Sequence, residues 1–261
     1  MIIFEATGQQ LKEMMKPLSV IADEARITFN ISSMKSKVAD NGNITMMNYE
    51  LPYGVFKSYS LSSEDISKQI GIEFQLWYRI VNKIDKKEIC IVSITSEVTG
   101  LKADDKNLES FTINIESQDG FSWSIPCIDP ASIRKEPQIP DGICKHLVSN
   151  FSLPTKRFQK IFNRSFSEYI VFETTDSEFK TCSKGDFTDK QKSTTEIKKS
   201  ENIINPAKTL LNKEYLLDLS KIIKSDSIQI HLGTDFLVQI DFSVLGMGSA
   251  SFLLAPRVER E

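Results

Sequence analysis

The feature that most restricts the fold is a repeated order of strand and helix patterns. Strand, helix and strand signals open the chain as IIFEA, QQLKEMMK and ARITFNIS, and the same order returns as HLVSNF, TKRFQKIF and YIVFET. The segments EFQLWYRIVNKIDKKEICIVSI and KEYLLDLSKIIKSDSIQIHL form a second matching pair. Aligning Leu11 with Phe158 and Ile89 with Ile228 gives offsets of 147 and 139 residues in a chain of 261. Such spacing predicts two copies of one β-rich unit.

Within each copy, most segments alternate apolar and polar positions, as half-buried strands do. Four windows follow the spacing of an amphipathic helix instead: 8–22, 73–87, 153–167 and 213–224. Pro17 lies inside the first window, where it removes a hydrogen bond and favours a kink. We therefore expect an α+β protein in which each copy packs two helices on antiparallel sheets.

The segment DPASIRKEPQIPD separates the two copies and contains three prolines. Proline cannot donate to a strand ladder and restricts the residue before it, so this segment predicts an extended connector. The expected domains are 1–128 and 142–261, joined by a connector at 129–141. A polar stretch at about 184–206 predicts a loop or short exposed strands.

Residues typical of catalysis are sparse. The two histidines, His146 and His231, lie in segments that we predict to be strands. Metalloprotease, P-loop and nucleophile-elbow motifs are absent from the sequence, and the segment GMGSA lacks the third glycine of a dinucleotide site, which favours a hairpin turn. Asp104 and Asp105 lie in a polar loop that offers no burial to raise a carboxyl pKa. We expect no enzyme and no cofactor.

The four cysteines stand apart without a C-x-x-C pair, which argues against a zinc or redox site. The start of the sequence, MIIFEATG, lacks the features of a signal peptide, and no apolar stretch reaches membrane-spanning length. We expect an intracellular protein with four reduced thiols, and no membrane partner.

Positive charge is concentrated in the helical windows. Together they contain 13 basic and 5 acidic residues, a net charge of +8, whereas the rest of the chain has a net charge of −11. Lys156, Lys160 and Arg164 form a row at i, i+4 and i+8, opposite the apolar stripe of their helix. Basic helices in an acidic protein predict a polyanion partner, with duplex DNA favoured because aromatic residues are absent from the basic faces.

Several segments resemble the PCNA-type DNA sliding clamps of archaea and eukaryotes. The ending SFLLAPRVERE resembles the closing strand and terminus of that family, and GIEFQLWYRIVNKI resembles its second helix. LPTKRFQKIF and EYLLDLSKII resemble the two helices of its second domain. The resemblance covers essentially the whole chain.

The resemblance implies a closed ring of three subunits, with helices lining a central hole for double-stranded DNA, bound without sequence preference. Such a ring would tether DNA polymerase and other replication and repair enzymes as a processivity factor, and a clamp loader would be a further partner. It implies that the following residues contact DNA: Lys12, Lys16, Arg79, Lys83, Lys156, Arg157, Lys160, Arg164 and Lys221.

Clients of this family insert a short hydrophobic motif into a pocket beside the connector. The residues that the resemblance assigns to this pocket are Ile44, Ile139, Pro140, Phe236, Leu253, Ala255 and Pro256. Leu253 stands where the family often has an aromatic residue, and Phe236 where it often has proline, so client preference is expected to differ.

Subunits of the family join by pairing edge strands, and by analogy we predict these edges at 109–117 and 178–186. The residues alone do not separate a homotrimer from a heterotrimer. Two further hypotheses are a subunit of a heterotrimeric or checkpoint-type clamp and a monomeric duplex-binding accessory factor. The expected location is the cytoplasm in an archaeon and the nucleus in a eukaryote.

Overall fold

The computed structural model describes residues 1–61, 67–101, 107–138, 142–163, 167–176, 178–184, 192–196 and 205–257. The chain divides into two compact units. The first contains Met1–Val38, Asn48–Glu136 and Leu245–Gly248. The second contains Ala39–Met47, Pro137–Val244 and Ser249–Glu261. The domain boundaries expected from the sequence stay a prediction.

Strands β1 to β9 belong mainly to the first unit: Ile2–Thr7, Glu24–Asn30, Ser33–Ala39, Thr45–Pro52, Ser58–Leu61, Ser67–Glu73, Ile89–Leu101, Asn107–Ser117 and Ser122–Pro126. Its helices are α1 (Gly8–Met14), α2 (Lys16–Ser19) and α3 (Phe74–Val81). One sheet has the order β5-β1-β7-β8-β9, and the remaining strands follow the order β4-β3-β2-β6. The predicted first helix is thus two short helices, and Pro17 lies in the first turn of α2, where a missing N–H costs nothing.

Strands β10 to β17 belong mainly to the second unit: Ser149–Pro154, Tyr169–Thr174, Glu178–Lys184, Lys192–Glu196, Ala207–Asn212, Ser227–Leu232, Val238–Val244 and Gly248–Leu254. Its helices are α4 (Thr155–Asn163) and α5 (Lys213–Ile222). The strands follow the orders β13-β12-β11-β14 and β10-β15-β16-β17. Leu245 and Gly246 have φ values of 51° and 80°, as in a type I′ hairpin turn, so the turn predicted at GMGSA is confirmed.

The two units share one topology. In each, a first strand leads without a loop into a helix and pairs antiparallel with the strand that follows the second helix, as β1 pairs with β7 and β10 with β15. The helices begin at Gly8 and Thr155, and at Phe74 and Lys213, which reproduces the offsets of 147 and 139 residues. The internal duplication expected from the sequence is therefore present in the fold.

One register in the sequence alignment is wrong by a residue. Thr7 pairs with Ile89 in the first unit, and Pro154 with Ser227 in the second, so Ser227 rather than Ile228 is the equivalent of Ile89. The second unit has one residue fewer between its second helix and the next strand. Because side chains alternate across a sheet, that residue decides which face is buried, and Ile89 is half-buried whereas Ile228 is 2% exposed.

Two further expectations also need correction. The segment Ile143–His146, expected to be a strand, forms a 3₁₀ helix, and β10 begins three residues after it. The predicted edge strands are interior: β9 covers β8 at Thr112–Glu116, and β13 covers β12 at Glu178–Cys182. Among the described strands, β9 and β13 end their sheets instead.

Apolar contacts hold each helix pair onto its sheet. The indole of Trp77 in α3 donates to the Leu11 carbonyl in α1 at 3.2 Å, and both residues are at most 1% exposed. In the second unit, the rings of Phe158 and Phe162 in α4 lie 4.8 Å apart, and Phe162 reaches Phe172 of β11 at 6.4 Å. The apolar stripe of each helix is therefore buried, which leaves its polar face for other contacts.

Candidate DNA interface and partner-binding surface

Close packing fixes the start of α1 in the first unit. The Gly8 and Gln9 amides donate to the carbonyls of Glu88 and Lys86, both at 2.9 Å. A Cβ at Gly8 would lie 2.1 Å from the Asp85 carbonyl oxygen, so only glycine permits this approach. Thr7 accepts from the Gln10 amide at 3.2 Å and completes a capping box. The helix is thereby held against the loop that follows α3.

The predicted basic residues of the first unit gather around Tyr78. The Lys16 ammonium lies 4.8 Å from the centre of the Tyr78 ring, and the Tyr78 hydroxyl donates to the Lys12 carbonyl at 3.4 Å. Burial raises the pKa of Tyr78, so the ring stays neutral beneath the cation. Lys12 itself is half-buried and donates to the Ile84 carbonyl, whereas Arg79 and Lys83 are exposed. These last two side chains are the ones that α3 and its C-terminal turn leave available.

In the second unit, the exposed basic residues of the first helix are Lys156 and Lys160 on α4. Gln159 donates to the Ser220 carbonyl of α5 at 2.9 Å, which fixes the two helices side by side. Lys221 lies on α5 and pairs with Asp218 at 2.7 Å, although both side chains are more than half exposed. Exposed pairs of this kind contribute little stability, so Lys221 can exchange its partner.

Arg157 differs from its neighbours on α4. It is half-buried, and its guanidinium donates to the Thr194 carbonyl of the outer strand β13 at 2.9 Å. Arg164, the last member of the predicted basic row, lies outside the described residues. The sequences of α3 and α4 contain no acidic residue, so the charge that they present is positive.

The partner-binding residues of the second unit start at the tip of the β3–β4 hairpin. The Asp40 carboxylate accepts from the Ile44 and Thr45 amides, both at 2.7 Å. Asn43 has a φ of 54°, a conformation that asparagine tolerates. This turn holds the Ile44 side chain in an exposed position, 40% accessible.

Residues 255–257 extend from β17 and are tied at two points. The Ala255 amide donates to the Ile44 carbonyl, and the Arg257 amide donates to the Leu210 carbonyl of β14, both at 2.8 Å. Pro256 lies between these anchors and is half-buried. Ile44 and Ala255 are thus brought together as predicted, while Leu253 in β17 is only 7% exposed.

Phe236 is tied to the same strand β14. Its carbonyl accepts from the Thr209 hydroxyl at 2.9 Å, and its ring lies 5.0 Å from that of His146. The sequence gave no direct signal for Thr209, but the DNGN turn that includes Asp40 has typical turn residues. Ile139 and Pro140 lie outside the described residues.

The thiols of Cys90 and Cys127 are those of core residues, since burial raises their pKa values to about 11 and about 12. His231 is half-buried in β15 and bonds Asp241 at 2.9 Å, which confirms it as a packed strand residue. Across the described ranges, no three His, Cys, Asp or Glu side chains cluster as a metal site would require. Asp104 and Asp105 lie outside those ranges. None of the helices described here has the length and apolar character needed to cross a membrane.

Comparison with known proteins places this geometry in a family. No family model matches the chain. The DNA polymerase sliding clamp of Archaeoglobus fulgidus is 27% identical over 259 residues, which cover 98% of both chains. That of Methanococcoides burtonii is 28% identical and covers 99% of this chain and all of its own. The structure also superimposes on A. fulgidus PCNA bound to the C-terminal region of FEN-1, with a TM-score of 0.81, 26% identity and full coverage of both chains.

The chain belongs to the PCNA-type sliding-clamp family. Thermococcus kodakaraensis PCNA shares the fold at a TM-score of 0.76 and 17% identity, covering 98% of this chain and all of its own. A PCNA2–PCNA3 complex from Sulfolobus tokodaii does so at 0.74 and 17%, with the same coverage. The low identity agrees with a fold preserved by buried apolar positions while surface residues vary.

Proposed function

We propose that this chain is a DNA sliding clamp, which encircles duplex DNA and tethers DNA polymerase and other replication and repair enzymes. The observation that carries the proposal is the end-to-end match with proteins named DNA polymerase sliding clamps, in both sequence and fold. In this function the chain carries out no reaction. It acts as a mobile anchor whose attachment to DNA is topological.

The exposed cations on the helices support a DNA-facing role. Arg79, Lys83, Lys156 and Lys160 are all exposed, and their helices contribute no competing carboxylate. Contacts of flexible Lys and Arg side chains with phosphates carry no sequence information and weaken steeply with salt. For a ring this weakness is useful, because the ring is held by closure and slides freely along the duplex. Lys12 and Arg157 already donate to backbone carbonyls, so we assign them supporting roles.

An order-of-addition experiment tests the topological attachment. A linear duplex fixed to a bead at one end is incubated with the chain, and the free end is then closed with a bulky protein. We expect the chain to resist a high-salt wash under these conditions. It should wash off when the free end is closed before the chain is added, or is never closed. Equal retention in all arms would favour a monomeric duplex-binding factor and would refute the proposal.

Self-association into a trimer would use the two outer strands. β9 and β13 end their sheets, so their outward backbone groups are available to another copy. Phe121 at the start of β9 is 65% exposed and stacks on Trp123 at 6.1 Å, an apolar surface suited to burial between subunits. Pairing β9 of one copy with β13 of the next is a head-to-tail contact, which closes into a ring when the rotation permits.

Light scattering on the purified chain tests this arrangement. A mass three times that of one chain supports a homotrimer. A monomer that is also not retained on end-blocked DNA would favour the heterotrimeric alternative, for which the S. tokodaii complex of two different PCNA chains is a precedent.

Client binding is proposed for the surface that contains Ile44, Ala255, Pro256 and Phe236. An exposed isoleucine beside half-buried apolar groups suits a short segment with aliphatic and aromatic anchors. The C-terminal segment of A. fulgidus FEN-1 is a suitable probe, because it is seen bound to the related clamp. We expect Ile44→Ser to weaken binding of this peptide and Ile31→Ser, an equal change at a residue 76% exposed, to leave it unchanged. Equal affinities of the two variants would contradict this assignment.

A further inference from the structure

The strongest unassigned contact in the second unit lies just beyond β17. The Arg257 guanidinium lies 4.6 Å from the centre of the Tyr169 ring, in the geometry of a cation–π pair. Tyr169 begins β11 and pairs with Asn212, the last residue of β14. The ring is half-buried and belongs to a strand paired on both sides, so it is a fixed platform for a flexible side chain.

The backbone of Arg257 is held at the same place. Its amide donates to the Leu210 carbonyl at 2.8 Å, two residues before Asn212 on β14. Both the backbone and the side chain of Arg257 therefore rest on the β11–β14 strand pair. Two residues earlier, Ala255 is bonded to Ile44 at the hairpin tip.

The first unit contains an equivalent bridge with different chemistry. Gly71 and Ile128 exchange two backbone bonds of 3.1 and 2.9 Å, and Gly71 precedes Leu210 by the 139 residues that relate the helices. The segment beyond β9 is held further by the buried side chain of Ile133, which is 5% exposed. In the second unit, the segment beyond β17 has the arginine–tyrosine contact.

We propose that Arg257 and Tyr169 position residues 255–257 for client binding, so that Arg257 acts through the backbone of this segment rather than by touching the client. The proposal rests on the client-binding surface described above. Ala255 and Pro256 lie between the two anchored amides, and their position depends on both anchors. Loss of the cation or the ring releases one end of the segment, so that a client must order it on binding.

Peptide affinity measured by fluorescence anisotropy tests this assignment, with the A. fulgidus FEN-1 segment as probe. Exposed cation–π pairs correspond to an effect of about two- to fivefold in affinity. We expect Arg257→Ala and Tyr169→Leu each to weaken binding by this factor, and the double variant to be no worse than either. Arg257→Lys and Tyr169→Phe, which keep a cation and a ring, should restore most of it. Lys208→Ala, an equal loss of charge at an exposed residue of β14, should have wild-type affinity.

Hydrogen exchange gives a readout that needs no client. The Ala255 and Arg257 amides should exchange faster in both single variants, while amides of β16 keep their protection. A loss of affinity in Arg257→Ala but not in Tyr169→Leu would show direct client contact and overturn the inference. Unchanged exchange at both amides would also overturn it. Failure of the wild-type chain to bind the peptide or to stay on end-blocked DNA would instead refute the proposed function.

Discussion

Replacing Lys160 with alanine tests the DNA-facing assignment quantitatively. Lys160 is exposed on α4, a helix without acidic residues, and its backbone is held by the packing of Phe158 and Phe162. The substitution removes one positive charge per subunit and three per proposed ring. Since the logarithm of the binding constant falls with the logarithm of salt concentration by about 0.9 per neutralised phosphate, the slope should decrease by up to about 2.7.

The assay is fluorescence anisotropy with a short labelled duplex over a series of salt concentrations. Lys135→Ala is the matched control, because this exposed lysine has the same charge but lies in the connector, away from the helices. The solution mass of both variants should equal that of the wild type. An unchanged slope for Lys160→Ala, or an equal decrease for Lys135→Ala, would refute the assignment of α4 to the DNA-facing surface.

Three further substitutions test the fold and the assembly. Gly71→Ala places a Cβ 2.5 Å from the Ile128 carbonyl oxygen and should destabilise the chain by about 1–3 kcal/mol in urea denaturation; wild-type stability would contradict the tight bridge. Burial opposes but hydrogen bonds, including that with His231, lower the pKa of Asp241, so its contribution is present above the unfolded pKa and lost as pH falls through the folded one. Asp241→Asn should therefore destabilise at neutral pH and match the wild type in strong acid, and a constant difference would argue against it. Phe121→Ser should lower the apparent mass in light scattering on dilution, and an unchanged dissociation profile would exclude Phe121 from the subunit contact.

The elements of the fold were readable from the sequence because their signals are local. Helical spacing located every helix pair, and the strand-to-helix junctions repeat at the predicted offsets. The errors arose where pairing between distant segments decides the outcome. One residue fewer before β15 shifted the register of Ile228, and the short strands β9 and β13, rather than β8 and β12, became the outer strands.

The candidate site was readable to a similar extent. Exposed cations such as Arg79 and Lys83 follow from helical periodicity, which places them opposite the apolar stripe. Sequence spacing could not distinguish them from Lys12 and Arg157, because the carbonyls that engage those two belong to residues 72 and 37 positions away. The support of the client surface by β14 is likewise a product of long-range packing.

The most direct measurement of the central claim is release of the chain by a single cut in its DNA. The chain is trapped on a duplex blocked at both ends, washed in high salt, and the duplex is then cleaved once between the blocks. A closed ring should stay bound until cleavage and leave immediately afterwards, although the DNA surface is almost unchanged. Retention on the cleaved fragments, or loss during the salt wash before cleavage, would contradict encirclement of the duplex.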